Sequence, residues 1–345
     1  MRILLVYPGP THSTYDVANG YDLALRALGH TVEAFAYHKY ITFYDAALTA
    51  QAANNPQYQK EAGDAFFLAS ERVALRVVDF VPDVVLVIAG GALHRRAHEL
   101  VHRLGVPIVL LLTESPYIDG TQAQIIRHGH IAAALTNDKN SVIPLAEATG
   151  VRVEYLPHSF NPTVHHPGAP DESLLTDVLF HGTLWPERVA LFAGLEKLPN
   201  ARISGYTLDS TATQQDLVDN KHLARLYQST KIALNHHRVY TDTEHAPLGD
   251  QAAYSLGPRA YEIAACGAFQ LCDATRPELT EVFGDSVPTY TDAADLRRKI
   301  EYYLARDCER IDHALRAWYA VRDCTFEHRA AQILIPVLEE VVKNG

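Results

Sequence analysis

The chain has 345 residues, 48% of them apolar and 21% charged, which suits about two globular domains with ordinary cores. Its 41 acidic against 30 basic residues leave a net charge of −11, which argues against a protein that coats nucleic acid nonspecifically. No apolar run approaches the ~18 residues needed to span a bilayer, and no N-terminal stretch reads as a signal peptide. Cys266, Cys272, Cys308 and Cys324 form no CxxC and no metal spacing, so the chain is expected to be a reduced, cytoplasmic protein.

Arg2–Tyr7 is apolar almost from its start, and Pro8-Gly-Pro10 breaks it. A helical stretch runs to Leu28, Gly29-His30 closes it, and Thr31–Tyr37 reads as a second strand. Continuous apolar strands joined by a helix make a βαβ unit in a parallel sheet buried on both faces. The first loop has no GxGxxG, so the dinucleotide fingerprint is absent. It still leaves the carboxyl end of a strand, so His12, Ser13 and Thr14 are candidate ligand contacts; Ser13 and Thr14 read equally well as helix caps. Residues 41–80 predict one or two helices broken at Asn54-Asn-Pro56. Asp83–Ile88, Pro107–Leu112, Ile131–Leu135 and Val151–Tyr155 are further strands. Glu114, Asp119, Asp138 and His158 follow three of them, so ionisable groups collect near one edge of one sheet. An acceptor hydroxyl needs a general base, and a carboxylate or imidazole there serves. Glu114, Asp119 and His12 are the candidate catalytic groups. Each alone also reads as a cap or a loop hydrogen-bonder.

Asn161-Pro, His165-His-Pro-Gly and Ala169-Pro make 161–176 a turn-rich linker. It separates a first domain, 1–160, from a second, 177–325. Two adjacent histidines without nearby partner ligands make a poor metal site. The second half repeats the pattern: strands at Asp177–Phe180, Ala201–Gly205, Lys231–Asn235, Ala268–Leu271 and Val287–Tyr290. Helices are expected from Pro186, over 221–229, 293–305 and 308–322. The long polar loop after Asn235 is of a length that is usually functional or mobile, and its Thr241-Asp-Thr-Glu-His245 run lacks a metal spacing. The last helix, about 326–342 within a tail of 326–345, is apolar along Ile333, Val337 and Val341 and is expected to reach back to the first domain.

Ser255–Asp273 organises the second half. Pro258 suits the first helical position, with Gly257 before it and Gly267 as the stop. Arg259 in the first turn opposes the helix dipole by roughly 0.3–1 kcal/mol, and an anion docked there reverses that sign. Glu262 lies one turn on along the same face. A guanidinium for phosphate and a carboxylate for hydroxyls suit a sugar nucleotide; a surface Arg259–Glu262 ion pair of little energetic weight is the plainer reading. Pro186 and Arg188 repeat the helix-start pattern.

Several motifs in order carry a resemblance: His181-Gly-Thr with Arg188, Tyr227-x-Ser-x-Lys-Ile-x-Leu-Asn235, Pro258-Arg-x-x-Glu262 with Cys266-Gly267, Tyr290-x-Asp292 with Tyr302-Tyr-Leu304, and Thr325-Phe-x-x-Arg329. Thr113–Tyr117, Asn137-Asp138 and Leu156-Pro-His158 match more loosely. With these the chain resembles two-domain glycosyltransferases of the GT-B fold, in particular the spore-maturation CgeB-like group. The resemblance implies two Rossmann-like α/β domains, with the acceptor held by the first and a nucleotide-diphosphate sugar by the second. It implies Glu262 on the ribose hydroxyls and Arg188, with Lys231 or Arg259, on the diphosphate. Gly182, Tyr206 and Asn235 complete the candidate donor contacts. No cofactor and no metal are expected. Ser255 stands seven residues before Glu262, where many retaining members have a second glutamate, so the stereochemistry stays open. A sugar-nucleotide epimerase and a non-catalytic sugar-nucleotide or glycan-binding protein are the alternatives. The acceptor is a glycan, small molecule, protein or modified DNA base, and the sequence leaves the oligomeric state open.

Overall fold

A computed structural model describes residues 1–7, 14–61, 63–89, 93–198, 200–204, 219–238, 248 and 252–344. Its contacts divide the chain into two units, each built on one all-parallel sheet. In the first unit the chain runs β1 (Arg2–Tyr7), α1 (Thr14–Ala27), β2 (Thr31–Ala36), α2 (His38–Asn54), α3 (Asp64–Phe80), β3 (Val84–Ile88) and α4 (Arg95–Arg103). It continues through β4 (Ile108–Leu112), α5 (Asp119–His128), β5 (Ile131–Thr136), α6 (Val142–Thr149) and β6 (Arg152–Tyr155). The strand order is β2-β1-β3-β4-β5-β6. Alternate residues of one strand enter opposite cores: Ile3 and Leu5 one, Leu4 and Val6 the other. That is why the strands read as unbroken apolar runs.

The second unit holds β7 (Thr176–His181), α7 (Pro186–Phe192), β8 (Ala201–Ser204), α8 (Asn220–Gln228), β9 (Thr230–Asn235) and α9 (Pro258–Ala265). β10 (Gln270–Asp273), α10 (Glu278–Phe283), β11 (Thr289–Tyr290), α11 (Ala293–Leu304) and α12 (Asp307–Val321) follow, with strand order β11-β10-β9-β7-β8. Phe160 bridges in parallel to Thr325 and Val164 packs on the core beside α8, so the turn-rich 158–176 segment belongs to this unit.

The C-terminal segment returns to the first unit. It is not the single helix expected: α13 (Phe326–Arg329) and α14 (Ile335–Asn344) are joined by a π-helical turn, Ala330–Leu334. The wider turn lets Phe326, Ala330, Leu334, Val337, Leu338 and Val341 all enter the core beside α1. Phe326 meets Tyr21 edge-on at 5.0 Å, and a Cβ on Gly20 would fall 2.4 Å from its ring. Glycine is therefore required at position 20 by close approach.

Two stability predictions follow from this unit. Gly20→Ala should cost about 1–3 kcal/mol by overpacking, and Phe326→Ala about 3–5 kcal/mol. Their combination should cost less than the sum in denaturant melts, since one removes the clash that the other creates. Independently, His98 is buried and its Nε2 meets no partner; burial, with His130 and His94 nearby, pushes its pKa down to about 4. The unfolded chain binds this proton first, so the contribution is intact above about pH 6.5 and is lost toward pH 4, by roughly 3 kcal/mol. His98→Asn should flatten that part of the stability–pH curve.

Candidate functional site

In the second sheet the chain moves outward from β7 to β8 and then crosses to β9 on the other side. Loops leaving the carboxyl ends of β7 and β9 therefore diverge, which opens the crevice where α/β sheets bind ligands. The sequence supplies His181-Gly182-Thr183 after β7 and Asn235-His236-His237-Arg238 after β9.

Arg188, in the first turn of α7, ties the two loops together. Its guanidinium donates to the Thr183 carbonyl at 2.8 Å and to the His236 carbonyl, and stands 5.5 Å from the Phe180 ring centre. Burial lowers its pKa, and its Nε is buried without a partner. Gly182 keeps the approach open: a Cβ there would stand 3.4 Å from Phe180 and 3.7 Å from Arg188. Asn235 ends β9 with its Nδ2 buried and unpartnered, while its carbonyl accepts from Tyr290 at 3.1 Å. Burial, with Arg259 and Arg202 near, pushes His181 down to about 4, so it is neutral at neutral pH.

α9 begins as expected, with Gly257 extended, Pro258 at the first position and no side-chain cap. Arg259 donates to the Tyr227 hydroxyl at 3.0 Å and lies 3.7 Å from Glu262. Tyr227 is wholly buried, which raises its phenol to about 12. Glu262 is only 8% exposed. This is not the surface ion pair of the plainer reading: a buried tyrosine holds the arginine and the carboxylate is largely desolvated. His165 is buried in the electrostatic reach of both, with neither ring nitrogen paired, and burial lowers its pKa.

One cluster escaped the sequence reading. Asp273, the last residue of β10, accepts from the His237 backbone at 2.6 Å and from its ring Nδ1 at 2.9 Å, and also from Thr275. A carboxylate only accepts, so Nδ1 carries the proton. Burial opposes charge on Asp273, but the His237 and Thr275 bonds outweigh it and hold the carboxyl well below the usual range. Cys272 Sγ lies 3.8 Å from the same Nδ1, and the three residues form the one metal-compatible group among the described residues. With Nδ1–H on the carboxylate, the arrangement is a hydrogen-bonded cluster rather than a set of open ligands. Asp273 was legible only as the end of a strand, and His237 lies 36 residues before it.

Other expected site residues fare differently. Lys231 is corrected: it sits at the amino end of β9, roughly 13 Å before Asn235, and pairs with Asp177 at 2.7 Å. The crevice is at the opposite end of the sheet. Asp119 is also corrected as an accessible base. It is 2% exposed and accepts from Ser115 and Gln122, both at 2.7 Å, a clasp across the β4–α5 turn in which burial raises its pKa. Glu114 is half-buried in the same turn, where its carbonyl accepts from the Tyr117 amide. Asp138 caps the following turn through the Asn140 amide. His12 and Tyr206 lie outside the described residues, as does the 241–245 run.

Residues 172–335, which include every donor-site group above except His165, match the family described as glycosyl transferase-like. That match covers just under half of the chain and supports, with the relative and the solved structures that follow, a CgeB-like glycosyltransferase of the GT-B fold. Spore protein CgeB of Bacillus subtilis (strain 168) is 24% identical over 250 residues, 68% of this chain and 76% of that protein. Sucrose-phosphate synthase from Thermosynechococcus elongatus superposes with a TM-score of 0.65 at 10% identity over the whole of both chains. The Anabaena protein HepE, solved with UDP and glucose, gives 0.55 at 11% identity, over 100% of this chain and 99% of that one. At such identities the likeness establishes the GT-B fold, as the motif order implied. In this GT-B protein the Lys231–Asp177 pair is half-exposed and remote from the crevice. Lys231→Ala should change nucleotide affinity by less than about twofold in calorimetry and stability by no more than ~1 kcal/mol.

Proposed function

We propose that the protein transfers a glycosyl group from a nucleoside-diphosphate sugar to an acceptor hydroxyl, without a metal, using the second unit as the donor site. One observation carries the reading: Arg188 ties together the loops that leave β7 and β9 at the switch point, and Arg259 and Glu262 lie in the first turns of α9, the helix that follows β9. Breaking the glycosidic bond puts negative charge on the leaving diphosphate. Fixed cations and helix N–H groups stabilise that charge as it develops. Arg188 is half-buried and held by carbonyls, so its charge acts in a dielectric below that of water. Glu262, one turn into α9, is assigned to the ribose hydroxyls. The acceptor side falls to the first unit, where Glu114 and His12 remain the candidates for the base.

The Anabaena protein was solved with UDP and glucose, so uridine diphosphate sugars are the first donors to test. A thermal-shift panel of nucleoside diphosphates and their sugars should single out one base. Ligand at a hundred times its Kd stabilises by about 2.7 kcal/mol, and Glu262→Ala should abolish the shift. Arg188→Ala should lower turnover of the selected donor about a hundredfold or more, and chelator should leave turnover unchanged. Turnover of the donor without any acceptor would favour the epimerase reading. No shift and no transfer with any member of the panel would overturn the proposal.

A further inference from the structure

His237 and Asp273 form a buried pair that the roles above do not use. The His237 ring is 6% exposed. Its Nδ1 is committed to Asp273, and its Nε2 is buried with no partner among the described residues. Cδ2, the ring carbon bonded to Nε2, lies by the start of α9: a Cβ on Gly257 would stand 3.9 Å from it. Gly257 precedes the first free N–H groups of that helix, where an anion is favoured. A carboxylate behind Nδ1 fixes both the ring orientation and the tautomer, the device by which histidines are aimed at a ligand. Left unpaired, a buried ring nitrogen costs free energy, so a group that completes it belongs to what the site binds.

We propose that His237 is a diphosphate-binding residue of the donor site, with Asp273 as its positioning residue. With the diphosphate docked at the start of α9, a proton shared between Nε2 and a phosphate oxygen completes the ring's hydrogen bonding. The ring is then bracketed by the Asp273 carboxylate and the phosphate. No covalent bond is made or broken by His237. Arg188 and Arg259 supply fixed charge, and His237 adds a donor whose direction is set by β10 rather than by its own loop. The inference rests on the donor-site reading.

The test is calorimetric titration of wild type, His237→Ala, His237→Gln, Asp273→Asn and Glu262→Ala with uridine, UMP and UDP, or the equivalents of whichever base the panel selects. His237→Ala should weaken the diphosphate about tenfold or more, the loss expected for a hydrogen bond to a charged group, while nucleoside affinity stays within about twofold. His237→Gln should recover part of the loss, because its amide also donates. Asp273→Asn should shift affinity in the same direction as His237→Ala. If it does not fold, the two His237 variants alone decide, since the Asp273 carboxylate keeps Thr275 and the position 237 amide. Equal losses for nucleoside and diphosphate would mark a structural role and overturn the inference. So would unchanged affinities in the His237 variants with Glu262→Ala still inactive in binding, and in both cases the donor site would stand. Wild type that binds no nucleotide would overturn both.

Discussion

Arg188 is the charge on which the second unit's site depends. A guanidinium taken out of water is costly unless its donors are met, and here the carbonyls of Thr183 and His236 meet them. Carbonyls satisfy hydrogen bonds without cancelling the charge, as a carboxylate would. The residue thus joins the loops after β7 and β9 and leaves a positive centre at the crevice they form. Phe180 beneath it and Tyr290, which donates to the Asn235 carbonyl, hold the two strand ends that this centre needs.

The constraint beneath that arrangement is the all-parallel sheet. The central strands of each sheet are covered on both faces, so their interiors are apolar and polar chemistry is pushed to the strand ends. Connections between parallel strands leave from the carboxyl edge, and a switch in strand order opens that edge. The π turn in the C-terminal segment serves the same economy in the first unit. It keeps Phe326 and Leu338 on one core, and Pro336, two residues beyond it, has no N–H to give back to the turn.

Much of this was legible in the sequence because it depends on local pattern. Apolar runs such as Val84–Ile88 and Ile108–Leu112 marked strands, and the Gly257-Pro258 start with Arg259 and Glu262 marked a helix with a polar first turn. What was missed depends on direction along a strand and on distant pairing. Lys231 and Asn235 share β9, and only the parallel register shows that one faces each end of the sheet. Asp119 had the right residue type at the right edge, but its engagement by Ser115 and Gln122 is a matter of turn geometry. His237 and Asp273 come from different strands, so no spacing rule links them.

Both carboxyl edges hold buried polar atoms without a partner among the described residues. In the first unit they include the hydroxyls of Thr14 and Thr113, while the carboxylates are met: Asp119 accepts from Ser115 and Gln122, and Asp138 caps its own turn. In the second unit Arg188 Nε, Asn235 Nδ2 and His237 Nε2 are among the buried polar atoms that find no partner among the described residues. Buried polar groups are nearly always paired, and each orphan lowers stability. Two of the three are donors outright, and the third is a ring nitrogen that shares a proton with an acceptor-rich partner. They stand in α7, at the end of β9 and in the loop after β9, all at the crevice. A fold that keeps uncompensated donors together at a switch point is arranged for a ligand rich in acceptors, and a diphosphate is the densest acceptor that a nucleotide sugar offers.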